Sequence, residues 1–95
     1  MSVQHVEPLL PPLDEAMARK HALELRTLAA EHGISNLRFA SPGRLVGTAG
    51  NDDEYEPEDF ELAVINRLHV EVMLIADRVL SNPGVSPDLL TATSL

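Results

Sequence analysis

The chain reads as an α+β domain: a long N-terminal helix packed on a small, mostly antiparallel sheet of about three strands, with a short C-terminal helix. Three observations predict this class. Apolar residues recur at helical spacing between Glu15 and His32, they alternate with polar ones in three later segments, and Pro, Gly and Ser punctuate the joins. With 95 residues the chain can bury one modest core, divided here into an extended arm over 1–12 and a single domain over 13–95.

Pro11-Pro12 closes the arm, because a Pro pair cannot propagate a helix. Asp14 is positioned as an N-cap, Glu15 adds negative charge to the first turn, and Gly33 after His32 supplies a left-handed stop. Ala18, Ala22, Leu25 and Ala29 define the apolar stripe, widened by Met17, Leu28 and His32. Ile34 to Ala40 then alternates Leu37 and Phe39 with Asn36 and Arg38, as a half-buried strand does, and Ser41-Pro42-Gly43 ends it. A second strand is expected over about Asp59 to Ile65, with Phe60, Leu62 and Val64 on one face. A third is expected over about Leu68 to Ile75, with Leu68, Val70, Val72 and Leu74 on one face. After the Asn82-Pro83-Gly84 turn, Ser86-Pro87 reads as an N-cap followed by Pro at the first helical position.

Composition narrows the function classes. Seven Lys and Arg against 15 Asp and Glu give a formal charge of −8, the wrong sign for general nucleic-acid binding. Two Phe, one Tyr and no Trp mean an aliphatic core, and the absence of Cys removes disulfides and thiolate metal sites. No apolar run approaches the roughly 18 residues that cross a bilayer, so a soluble, cytoplasmic protein without membrane contact is expected.

Only three residues separate Val64 from Leu68, too few for a parallel crossover, so these two strands are expected to form an antiparallel hairpin. If both apolar faces are even-numbered, the register that pairs Val64 with Leu68 sets Glu61 opposite Glu71, with Asp59 one step along. Opposed carboxylates repel unless solvent screens them or a cation neutralises them. His69 shares that expected face. The run Asp52, Asp53, Glu54, Glu56 and Glu58 reads as a solvated mobile loop, with Gly47, Gly50 and Pro57 flanking it.

This order of elements resembles the minimal nucleotidyltransferases of the polymerase-beta superfamily. In that family a strand closes with Phe-Gly-Ser-x-x-Arg, compared here with Phe39-Ala40-Ser41-Pro42-Gly43-Arg44. The next family strand carries Ser-Asp-x-Asp-Leu-x-Val, compared with Glu58-Asp59-Phe60-Glu61-Leu62-Ala63-Val64, and a later strand carries a third carboxylate as Val-Asp-Val-Val, compared with Val70-Glu71-Val72-Met73. The sequence departs from the pattern at Ala40, Glu61 and Glu71, and the family's helix between the second and third carboxylate strands is read as missing.

The resemblance implies Asp59, Glu61 and Glu71 as catalytic carboxylates, with Asp59 and Glu61 as metal ligands. It implies Ser41, Gly43 and Arg44 around the phosphates. Mg²⁺ and a nucleoside triphosphate would be the cofactors of transfer to a hydroxyl. It further implies an antitoxin-like role, modifying or simply binding a basic, toxin-like protein partner. The other reading is a non-catalytic acidic interaction module. A homodimer is expected in either case, because three strands and one helix leave sheet edges uncovered.

Overall fold

The computed structural model describes residues 9–51 and 53–95; most of the expected arm lies outside them. The elements are α1 (Glu15–Lys20), α2 (Ala22–Glu31), β1 (Ile34–Ser41), β2 (Arg44–Ala49), α3 (Pro57–Leu68), β3 (Met73–Ala76), a 3₁₀ turn (Asp77–Ser81), α4 (Pro87–Leu90) and β4 (Thr93–Ser94). They form an α+β fold around one four-stranded mixed sheet in the order β3-β2-β1-β4.

The N-terminal helix starts where the sequence places it, with the Asp14 carboxylate accepting the Met17 N–H at 2.8 Å. It is two helices rather than one, interrupted at His21, although main-chain bonds from His21 N–H to Met17 O and from Leu25 N–H to His21 O keep them nearly continuous. Neither Pro nor Gly marks this break. Ala18, Leu25, Leu28 and Ala29 are buried as the stripe requires. Gly33 (φ +74°) then turns the chain into β1.

β1 and β2 form an antiparallel hairpin that pairs Ser41 with Arg44 across Pro42-Gly43. Gly43 has φ +78°, the conformation that a turn with Pro at its first central position needs at the second. Thus Ser41-Pro42-Gly43 ends one strand and at once begins another, which the sequence reading omitted.

The largest correction concerns 57–68. The expected strand over Asp59 to Ile65 is α3, and the expected loop Ile65-Asn66-Arg67 is its last turn. Pro57 opens it, Glu58 and Asp59 occupy the first turn and Arg67 the last, each favourable to the helix dipole. Phe60 and Val64, one turn apart, are fully buried, while Leu62 is 56% exposed. The third expected strand is correspondingly shorter. His69 is the left-handed cap of α3 (φ +56°), and β3 itself starts at Met73.

Since α3 intervenes, β3 pairs with β2 in parallel, Arg44 with Met73 and Leu45 with Leu74. The expected hairpin and its Glu61–Glu71 register are therefore replaced by a β2-α3-β3 crossover. α2 and α3 pack side by side over β1 and β3, and Leu25, Phe39, Leu45, Phe60, Val64 and Leu74 join in the core. Leu13, fully buried, anchors the end of the arm: its N–H donates to Glu71 O, and its carbonyl accepts from Gly43 N–H.

Arg38 and Val46 lie between core-facing neighbours and so point to the opposite side of the sheet, where the 3₁₀ turn and α4 pack. Two carboxylates fasten this cover. Asp77 accepts from Arg38 Nη2 at 3.0 Å and Thr48 Oγ1 at 2.6 Å, and Asp88 accepts from Ser41 Oγ at 2.6 Å and stands 3.4 Å from Arg44 Nη1. No helix among the described residues is long and apolar enough to cross a membrane.

Candidate functional site

A cleft of about 690 Å³ opens where the hairpin turn, the arm and the start of β3 meet. Pro12, Pro42, Gly43, Arg44, Glu61, Glu71, Val72 and Met73 line it. Four residues singled out in the sequence therefore converge there: Gly43, Arg44, Glu61 and Glu71.

Asp59 is not among them. On a strand Asp59 and Glu61 would share a face, but two helical steps of about 100° each turn them well apart on α3. Asp59 instead lines a shallow depression with Tyr55, Glu56, Pro57 and Glu58. The expected pair of metal ligands is thus divided between two surfaces. Among the described residues there is no group of three His, Cys, Asp or Glu side chains disposed to hold a metal ion.

Glu61 is engaged by the fold. Met73 N–H donates to Gly43 O on the β2 side, so the next amide, that of Leu74, faces the outer edge of the sheet; Glu61 Oε2 accepts it at 2.7 Å. At the other edge, Arg19 Nη1 donates to Ser94 O at 2.9 Å. A carboxylate caps a donor on one outer strand, and a guanidinium caps an acceptor on the other. Such caps occupy one edge-facing group on each outer strand, which makes those strands poorer templates for further pairing.

Ser41 and Arg44, expected to hold phosphate, are held by Asp88 as described above. Arg44 keeps unused capacity, because its Nε is buried and has no hydrogen-bond partner among the described residues. Glu71 is exposed, and its main chain is fixed by bonds from Glu71 N–H to Pro11 O and from Leu13 N–H to Glu71 O. Sequence reasoning missed Asp77, Asp88 and Arg19. Asp88 was visible only as part of a helix-capping pattern, and nothing local marks the long-range partners of the others.

The acidic segment is tied to the α2–β1 junction at its two ends. Gly50 N–H donates to Gly33 O at 2.8 Å, Glu56 N–H donates to His32 O at 2.9 Å, and Tyr55 packs against the core with the Arg78 guanidinium 5.7 Å from its ring centre. Its carboxylates still face water: Asp53, Glu54, Glu56 and Glu58 are exposed.

Burial raises the Tyr55 hydroxyl above its usual pKa of 10.0; Arg78 lowers it, and Glu61 and Asp77 add to the rise. A raised folded-state value means that the unfolded chain ionises first. This contribution to stability is complete below pH 10 and is lost as pH rises through the folded value. Because Tyr55 is the only Tyr and Trp is absent, alkaline titration of phenolate absorbance reports this residue alone. The midpoint is expected above that of the urea-unfolded chain; coincident midpoints would mean the ring is not packed as described.

No family model matches the chain, and neither does any curated protein or solved structure.

Proposed function

We propose that the protein is a non-catalytic binding module on a nucleotidyltransferase-like framework, serving to hold a protein partner. The observation that carries this reading is the parallel β2-α3-β3 unit. The resembled family joins its second and third carboxylate strands through a helix, so β2 takes the place of the second strand and α3 that of the joining helix. On this reading Ser41-Pro42-Gly43-Arg44-Leu45 is compared with Ser-Asp-x-Asp-Leu, in place of the comparisons drawn above for 39–44 and for 58–64, the latter of which lies on α3. Both aspartate positions are altered, one to Pro42 and one to Arg44, and only Glu71 supplies a carboxylate at the third.

A guanidinium where a metal ligand would stand disfavours a divalent cation by charge and offers it no lone pair. Arg44, matched by Asp88, makes this end of the sheet a structural clasp. Binding rather than group transfer is what remains, and the net charge of −8 favours a basic partner.

Calorimetry with Mg²⁺ and a nucleoside triphosphate is expected to give no binding heat. Metal-dependent binding that disappears in Glu71→Gln would overturn the reading. The converse variant carries the stronger expectation. Pro42, Arg44, Glu61 and Glu71 all line one cleft, so Pro42→Asp with Arg44→Asp gathers four carboxylates there, and Asp88→Asn relieves repulsion by the former partner of Arg44. This triple variant should gain a saturable Mg²⁺-binding heat that the wild-type chain lacks. A folded variant with no gain, judged by circular dichroism, would show that β2 does not occupy the carboxylate strand's place.

A further inference from the structure

We infer that the cleft is the docking point for a single cationic side chain, arginine or lysine, in an extended segment of the partner. This rests on the binding-module reading and names the chemistry of its contact. Three features support it. Exposed Pro12, Pro42 and Met73 are among the lining residues and offer apolar surface to an aliphatic stem, as such side chains require when only their heads remain polar.

Charge is the second feature. Glu61 and Glu71 line the cleft against one guanidinium, that of Arg44, whose charge Asp88 balances at 3.4 Å while its Nε has no hydrogen-bond partner among the described residues. Glu71 forms no ion pair among the described residues, and Glu61 commits only Oε2, to Leu74 N–H. An anion entering here would meet two carboxylates, whereas a cation finds one wholly unpaired and one with an oxygen free. The third feature is size. At about 690 Å³ the cleft lies within the range of roughly 300–1,000 Å³ typical of ligand sites, so the residues flanking the cation also fit.

The exposed carboxylates of 53–59 are a different surface, and they set the control. The ¹⁵N-labelled full chain is titrated with a capped Gly-Arg-Gly peptide and with its citrulline counterpart, equal in shape but uncharged. The arginine peptide is expected to shift the amides of Gly43, Glu71 and Met73 saturably, with affinity on the order of 10⁻³ M that weakens as salt is raised. Glu71→Gln, at an exposed position, should weaken binding about tenfold, while Glu58→Gln with Asp59→Asn leaves it unchanged.

Equal shifts from the citrulline peptide, shifts centred on 53–59, or undiminished binding in Glu71→Gln would each overturn the inference. None of these outcomes bears on the binding-module reading, which the nucleotide calorimetry tests separately.

Discussion

Phe60→Ala is expected to cost about 3–5 kcal/mol of folding stability, and Leu62→Ala less than about 0.5 kcal/mol. The two residues carry the difference between a strand and a helix over this segment. Alternation would bury both on one face, whereas a helical period buries Phe60 with Val64 and turns Leu62 outward. Phe60 is fully buried among the core side chains, and Leu62 is 56% exposed. Removing the Phe60 ring leaves a void between the helical layer and the sheet that its close-packed neighbours can fill only in part. Guanidinium denaturation of the two variants measures the contrast, and comparable losses at both positions would restore the strand.

Gly33→Ala is expected to cost about 2–4 kcal/mol, combining a left-handed backbone with overpacking. Gly33 has φ +74°, and a Cβ there would strike the main chain of Glu54 and Tyr55. Main chain cannot rotate aside as a side chain does, so relief requires the acidic segment to lift and to give up the Gly50–Gly33 and Glu56–His32 bonds. Against a total stability of roughly 5–14 kcal/mol for a domain of this length, that is a severe loss. Gly84→Ala provides the reference, for Gly84 also has positive φ (+85°) but nothing within 4 Å of its added Cβ. Its cost should be only about 1 kcal/mol. Equal costs at both glycines would mean the acidic segment is not seated on the α2–β1 junction.

The sequence revealed elements wherever one local signal was unopposed. Asp14 as cap, the Ala18-to-Ala29 stripe, Gly33 as stop, the alternation of Leu37 and Phe39, and Ser86-Pro87 before the last helix all have counterparts in the structure. Where two periods competed, the reading failed. Phe60, Leu62 and Val64 satisfy alternation, yet Phe60 and Val64 also satisfy helical spacing, and Pro57, Glu58 and Asp59, at the border between the expected loop and the expected strand, are helix-start signals. Three apolar residues in five positions cannot decide between the periods; the flanking caps could have.

β2 was missed because Leu45-Val46 is a short apolar pair followed by Gly47, too brief to show a period. That omission propagated to the candidate site. With β2 absent, α3 was read as the carboxylate strand, so Asp59 was grouped with Glu61 and Glu71, while Pro42 at the cleft went unweighed. Gly43, Arg44, Glu61 and Glu71 were nevertheless singled out, and these four meet. The salt links of Asp77 and Asp88 could not be read, since their partners lie 29 to 47 positions away for the side-chain bonds in question.

The covering of the second sheet face by the C-terminal segment also sets an order of assembly. β1 meets β2 across a two-residue turn, whereas Arg19 and Ser94, bonded to each other, stand 75 positions apart. Contacts of such separation come at a high cost in loop closure and form late. On a ribosome, the hairpin can close while Arg38, Val46 and Thr48 still face an empty side. Only synthesis of residues 77–95 delivers the carboxylates and helix that cover it. The 77–95 segment thus acts as a closing step for the sheet, covering a face that the hairpin alone leaves open.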